Sequence, residues 1–86
     1  MNPRVIEVAT LEDYRLRVRF TNGEQRIFDV SPYLEYPAYK QLSNTAYFAL
    51  ARPDHGTVAW PGDIDFCPDT VYVESVHEET ESYGKS

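Results

Sequence analysis

Apolar and polar side chains alternate without a break over residues 14–20. The apolar positions are Tyr14, Leu16, Val18 and Phe20, and three arginines stand between them. A period of two is typical of a half-buried strand, because successive side chains point to opposite faces of a sheet. The pattern therefore predicts a strand that turns its apolar side chains toward the core and its arginines outward.

Asn22-Gly23 separates this strand from a second one over residues 24–30, and both residues adopt a positive φ at little cost. A two-residue loop would place Leu16 opposite Asp29 and bury a carboxylate on the apolar face. A three-residue loop that starts one residue earlier, with the glycine left-handed and a G1-type bulge, places Leu16 opposite Phe28 instead. We expect this second register. Its other pairs are Tyr14 with Val30 and Arg15 with Asp29.

Two further strands are predicted, one before the hairpin and one after it. Residues 4–10 are rich in β-branched side chains, and Thr57–Trp60 forms a short run that Pro61-Gly62 breaks. The expected fold class is α+β. A small antiparallel β-sheet would hold the hairpin of residues 14–30 and these two strands, packed with two or three short helices.

Cap and proline signals predict the helices. Ser31 followed by a proline is typical of a capped helical turn, which Pro37 would end. Asn44 can cap a helix that runs to Ala51, and Pro68 can begin a third helix. We expect these helices to cover the sheet.

The size of the chain indicates a single core, since 86 residues are too few for two self-sufficient units. We expect one domain over residues 1–76 and a flexible acidic tail over residues 77–86, which is too polar to offset the entropy of ordering. Cys67 is the one cysteine, so no intramolecular disulfide can stabilise the domain. Either the core suffices or an oligomer contributes.

The charge distribution narrows the classes of partner. The formal net charge is −6 at pH 7, and the acidic excess lies largely after residue 62. Contacts of Lys and Arg with phosphates drive nonspecific nucleic-acid affinity, so direct binding of DNA or RNA is not expected. The arginines of residues 14–20 are the one feature that favours a nucleic-acid accessory role. No membrane span or signal peptide is evident, so we expect a cytoplasmic protein with no membrane partner.

Asp63, Asp65 and Asp69 place three carboxylates within seven residues. Hard cations such as Mg²⁺ favour oxygen ligands grouped in this way, so these residues are candidate metal ligands. The competing interpretation is structural, because Asp beside Gly or Pro also makes turns and helix caps. The sequence contains no phosphate-binding loop and no catalytic set, and no cofactor is expected.

Tyr33, Tyr36, Tyr39 and Tyr47 fall within fifteen residues. Two short helices can hardly bury so many rings against one small sheet, and tyrosine is enriched at protein interfaces. We therefore treat the four side chains as candidate partner-binding residues, with packing into the core as the alternative. Trp60 is a fifth candidate, although a tryptophan at the end of a strand usually closes a core.

Two motifs follow each other along the chain. The first is Asn22-Gly23-Glu24 with Phe28-Asp29-Val30-Ser31-Pro32-Tyr33-Leu34, and the second is Trp60-Pro61 with Asp65, Pro68 and Tyr72. Together they resemble the bacterial domain-of-unknown-function family DUF2442 over roughly residues 4–75. The resemblance implies an α+β fold with a small antiparallel sheet. It also implies a gene context, since members occur alone, fused ahead of a helix-turn-helix domain, or beside another small protein in a toxin-antitoxin-like arrangement.

Two functional hypotheses therefore stand against each other. The first is a non-enzymatic protein-interaction or regulatory module, the antitoxin-like partner of a small operon neighbour, which uses its tyrosines and acidic tail to bind a basic protein or a second copy. The alternative is a small carboxylate-based metal-binding protein or enzyme centred on Asp63, Asp65 and Asp69.

Overall fold

The alternating segment forms one strand of a hairpin, as predicted. The computed structural model, which describes residues 2–77, contains strands β2 (Arg15–Phe20) and β3 (Gln25–Asp29) in antiparallel pairing. Leu16 lies opposite Phe28, so the expected register is confirmed. Burial of one face sets this register, because a shift by one residue would move every side chain to the other face.

Gly23 closes the hairpin in a three-residue loop. The amide of Phe20 donates to the carbonyl of Glu24, and the amide of Gly23 donates to the carbonyl of Phe20. Gly23 has a φ of +90°, a left-handed value that residues with a Cβ rarely adopt. The side chain of Asn22 accepts from the Glu24 amide at 3.0 Å and holds the loop in place.

Strands β1 (Val5–Thr10) and β7 (Val76–His77) flank the hairpin. They complete a four-stranded antiparallel sheet with the order β1-β2-β3-β7. The register of β1 shifts between Val5 and Glu7, so Ile6 is an extra residue in a β-bulge. Because a bulge re-aims the side chains beside it, Ile6 is half exposed although isoleucine is usually buried.

A second sheet lies beside the first. It contains β4 (Arg52–Asp54), β5 (Thr57–Trp60) and β6 (Ile64–Asp65), paired antiparallel with β5 in the centre. The α+β class is confirmed, and β5 has its predicted bounds. The prediction that β5 joins the hairpin sheet is wrong, because β5 pairs with β4 and β6 instead. Neither of these strands was predicted, since β4 contains Pro53 and β6 has only two residues.

The connecting segments are short helices, several of them of the 3-10 type. The predicted helix over residues 44–51 is shorter in the structure, and Pro37 begins a helix as well as following one. Proline suits the first helical turn, because its missing amide would have no helical partner there. The 3-10 helices are Glu12–Tyr14, Ser31–Glu35 and Pro37–Ser43, and the α-helices are α1 (Thr45–Phe48) and α2 (Pro68–Glu74).

The caps of these helices agree with the sequence at one position and differ at another. The side-chain oxygen of Asn44 accepts from the amides of Ala46 and Tyr47, at 2.9 and 3.3 Å, so this predicted cap is confirmed. The predicted cap at Ser31 is wrong. The Asp29 carboxylate instead accepts from the Ser31 amide at 3.0 Å and from its hydroxyl at 2.8 Å, since a carboxylate is the stronger acceptor.

The buried side chains form a core cluster that joins the inner face of the first sheet to the second sheet and the helices. Trp60 is 1% exposed, and its indole Nε1 donates to the carbonyl of Phe48 at 2.9 Å, so its one polar group is satisfied. The fully buried side chains also include Leu16, Val18, Phe20, Phe28, Val30, Leu42, Val58 and Val71.

The predicted acidic tail begins at His77, whose backbone lies in β7, and residues 78–86 lie outside the described residues. Within residues 2–77, no helix is long and apolar enough to cross a membrane.

Candidate functional site

Three of the candidate tyrosines meet where two 3-10 helices follow each other. Tyr33 lies in Ser31–Glu35, Tyr36 joins the helices, and Tyr39 lies in Pro37–Ser43. The ring centroid of Tyr33 is 6.3 Å from that of Tyr36 and 6.1 Å from that of Tyr39. We call these three side chains the tyrosine face.

Phe66 supports the tyrosine face from the core side. The Tyr39 ring stacks on Phe66 with centroids 4.5 Å apart and an angle of 7° between the ring planes. Tyr33 meets Phe66 edge to face at 5.1 Å and also contacts Phe28. Both tyrosines are therefore half-buried and fixed by packing, whereas Tyr36 is 56% exposed.

Burial and negative charge set the electrostatics of this face. Burial raises the pKa of Tyr33 above its ordinary value, and the nearby Glu74 carboxylate raises it further. Burial likewise raises the pKa of Tyr39, with Asp65 and Cys67 adding to the effect. The hydroxyls therefore stay protonated at neutral pH. That of Tyr39 donates to the backbone carbonyl of Asp65 at 3.3 Å.

The other two candidates for partner binding are Tyr47 and Trp60. Trp60 touches the support of the tyrosine face, since its ring meets Phe66 at 5.9 Å, but both side chains have their hydrogen bonds elsewhere. The Tyr47 hydroxyl donates to the carbonyl of Pro61 and ties α1 to the turn after β5. Trp60 is buried in the core, so its side chain offers almost no surface to a partner. The pattern of tyrosines in the sequence could not separate these roles, because burial of Tyr47 and Trp60 depends on tertiary contacts.

The three candidate metal ligands occupy three different local structures. Asp63 adopts a φ of +68° in the turn before β6, Asp65 lies in β6, and Asp69 lies in the first turn of α2, where Oδ1 accepts from Asn2 at 3.2 Å. Among residues 2–77, no group of three or more His, Cys, Asp or Glu side chains is arranged to hold a metal ion. The structure thus does not bring these carboxylates together as a ligand set.

A protein-family model described as "Protein of unknown function (DUF2442)" matches residues 5–77. The chain belongs to the DUF2442 family. The match covers both motifs that carried the resemblance in the sequence, and it extends through β7. Comparison with curated proteins and with solved structures found no match.

Arg26 is a half-buried charge that the sequence patterns did not single out. It lies opposite Val18 on the inner face of the first sheet, beneath the end of α2. Its guanidinium carbon lies 4.0 Å from the ring centroid of Tyr72. Nη1 donates to the carbonyl of Tyr72 at 3.0 Å and to that of Ser75 at 3.3 Å. The signal was present in the register, which already placed this residue beside Val18.

Glu24 completes this arrangement, which we call the Arg26 cluster (Glu24, Arg26 and Tyr72). Nε of Arg26 lies 3.2 Å from Oε1 of Glu24. A hydrogen bond from the Tyr72 hydroxyl holds the pKa of Glu24 below its ordinary value, and Asn22 and Arg26 add to the effect. The cluster therefore joins the hairpin to α2 through an aromatic ring, a carboxylate and two carbonyls.

The outer face of the first sheet carries the predicted arginine stripe. Nε of Arg19 lies 3.0 Å from Oε1 of Glu7, and both side chains are about half exposed or more. Arg15 pairs across the strands with Asp29, and Nε of Arg15 donates to the carbonyl of Glu12 at 3.2 Å. Carboxylates therefore accompany the positive charges on this face, and such exposed ion pairs contribute little to stability.

A groove of about 660 Å³ lies between the 3-10 helix Glu12–Tyr14 and α1. Asp13 and Tyr14 both have positive φ values beside it, 62° and 59°. The contacts of Tyr14 hold this strained turn, because its ring meets Phe48 at 5.4 Å and its hydroxyl donates to the carbonyl of Ser43. These contacts account for the strained backbone, so the strain does not itself indicate a binding site at the groove. The tyrosine face remains the best candidate site.

Proposed function

We propose that this DUF2442 chain is a non-enzymatic protein-interaction module that binds another protein through the tyrosine face. The observation that carries the proposal is the combination of an exposed aromatic ring with two fixed ones. Tyr36 is 56% exposed, and it lies beside Tyr33 and Tyr39, which Phe66 holds in place.

Such a surface suits binding for two physical reasons. Tyrosine combines a large apolar ring with a hydroxyl that can hydrogen-bond, so it contributes binding energy even where the interface is partly wet. Rings already fixed by packing lose little conformational entropy when a partner arrives. Tyr33 and Tyr39 meet this condition because each rests on Phe66.

The finer proposal is that the module acts as the antitoxin-like, regulatory member of a pair encoded by neighbouring genes. The gene context that the DUF2442 resemblance implies supports this role. The acidic composition of the chain, with a net charge of −6, favours a basic partner.

A site-specific photo-crosslinker tests where a partner binds. We would place it at position 36 and, as a matched control, at position 50, because Leu50 has a similar exposure of 51% and follows α1. With the neighbouring gene product co-expressed, we expect a discrete adduct from position 36 and none from position 50. Equal adducts from both positions, or none from position 36 while the two proteins still associate, would refute the site.

Substitution of the same residues measures the contribution of the ring. Tyr36→Ala should weaken the purified complex roughly 30-fold, which corresponds to about 2 kcal/mol for an aromatic residue at an interface centre. Leu50→Ala should weaken it less than about twofold. Both variants should melt close to the unmodified protein, because each removes an exposed side chain.

A further inference from the structure

The groove between the 3-10 helix Glu12–Tyr14 and α1 has an aromatic floor. The Phe48 side chain is 4% exposed, and its ring meets that of Tyr14 edge to face with the centroids 5.4 Å apart. The Tyr14 hydroxyl donates to the carbonyl of Ser43, so this ring is fixed at both ends. Because the floor is already ordered by packing, it loses little conformational entropy when a ligand binds.

Two acidic residues line the same groove. Glu12 and Asp13 are both exposed, and neither belongs to an ion pair within residues 2–77. Arg15 follows them in the chain, but its Nε donates to the backbone carbonyl of Glu12. Among the residues that the structure describes, no lysine or arginine lines the groove. The charge at the groove is therefore negative and complements a cation.

We propose that this groove binds a small organic amine, with the apolar body of the ligand on the rings of Tyr14 and Phe48 and its ammonium beside the carboxylates of Glu12 and Asp13. An ammonium also gains from an aromatic surface, because the ring quadrupole attracts a cation. The inference goes beyond the proposed function, since it adds a noncovalent ligand site that shares no lining residue with the tyrosine face.

The size and lining of the groove favour a small molecule. Its volume of about 660 Å³ lies within the range of about 300–1,000 Å³ that is typical of small-molecule sites. Leu11 and Ala49 add apolar surface to the aromatic floor, and Thr10 and Thr45 add two hydroxyls. A mainly apolar wall with a few polar groups is the usual composition of such sites, since the polar groups orient the ligand.

The test uses 2-phenylethylamine as the probe, titrated into the isotope-labelled full chain and followed by NMR. We expect saturable shifts confined to residues 10–14 and 45–49, with a dissociation constant on the order of a millimolar, as suits a ligand of this size. The control ligand 2-phenylethanol keeps the shape and loses the charge, so it should bind at least about fivefold more weakly. N-acetyl-lysine amide presents an ammonium as a protein would, and it should also bind more weakly because it lacks the ring.

Substitutions at the groove test its charge and its volume. Asp13→Asn removes a carboxylate and keeps a residue type that tolerates the positive φ of 62° at this position. This variant and Glu12→Gln should each weaken binding of the amine roughly threefold, as suits an exposed ion pair. Glu35→Gln changes the net charge equally at an exposed residue that does not line the groove, so it should leave binding unchanged. Ala49→Leu places a larger side chain at the groove and should weaken binding more than either charge variant.

The inference is overturned if the amine gives no saturable shifts, if the shifts map elsewhere, or if 2-phenylethanol binds as tightly as the amine. It is also overturned if Glu35→Gln weakens binding as much as Asp13→Asn, because the net charge of the chain would then be the cause. Equal or tighter binding of N-acetyl-lysine amide would identify the occupant as a protein side chain instead. None of these outcomes bears on the crosslinking experiment at position 36, because the two surfaces share no residue.

Discussion

Removal of the guanidinium of Arg26 should be the most damaging change to a polar residue in the described chain. Arg26→Met keeps an unbranched side chain of similar reach but loses the donors to the carbonyls of Tyr72 and Ser75, the ion pair with Glu24 and the stacking on Tyr72. Because the Arg26 side chain is 14% exposed, these interactions are only partly screened by water.

The expected cost follows from the individual contacts. Hydrogen bonds from a charged donor contribute about 1.5–3 kcal/mol, a cation over an aromatic ring about 0.5–1 kcal/mol, and a partly exposed ion pair less than about 1 kcal/mol. Since such contributions overlap, we expect a loss of about 3 kcal/mol. For a domain of this size, that loss lowers Tm by roughly 12–24 °C.

Urea unfolding followed by circular dichroism measures this loss. Arg15→Met is the matched control, because Arg15 is exposed in the neighbouring strand and should cost less than about 1 kcal/mol. Arg26→Lys should lie between the two, since it keeps the charge and loses the planar fork. The account of the Arg26 cluster is refuted if Arg26→Met and Arg15→Met unfold within about 0.5 kcal/mol of each other at equal slopes.

Three further outcomes follow from the structure. Gly23→Ala should cost about 1–2 kcal/mol in chemical unfolding because φ is +90°, whereas Gly23→Asn should cost clearly less; equal costs would mean that the left-handed φ is not the cause. The pKa of Glu24 is lowered in the folded state, so its contribution to stability is present above about pH 4.5 and is lost as the pH falls through the folded value. The free energies of unfolding of the unmodified protein and of Glu24→Gln should therefore converge as the pH falls. A constant difference down to low pH would contradict this. The pKa values of Tyr33 and Tyr39 are raised in the folded state, so the free energy of unfolding should fall as the pH rises above about 10. In an ultraviolet titration, Tyr33→Phe should lack one of the late-titrating phenols of the unmodified protein. An unchanged late phase would show that Tyr33 titrates normally.

The hairpin could be predicted because its information is local. Leu16 and Phe28 must share the buried face, and the alternative register would have placed Asp29 there, so the pattern allowed only one arrangement. The same register contained the position of Arg26, opposite Val18, although an arginine among core residues is easily assigned to solvent. Local alternation thus predicts which face a residue occupies more readily than it predicts the groups that pair with a half-buried charge on that face.

The second sheet could not be predicted in the same way. Its strand β4 contains Pro53, which usually argues against a strand, and β6 has two residues, too few for any periodicity. The site shows the same limit. Tyr33, Tyr36 and Tyr39 are neighbours through their spacing in the chain, but the burial of Trp60 depends on packing between distant elements.

The position of β7 has a consequence for the order in which this domain assembles during synthesis. Strand β3 belongs to the first third of the chain, yet β7, from the far end of the matched family region, pairs with it. Tyr72 and Ser75, which accept from Arg26, are also made late. A nascent chain on the ribosome can close the hairpin early, but β3 keeps an open edge until β7 emerges. Folding of the first sheet should therefore finish only once translation has passed residue 77.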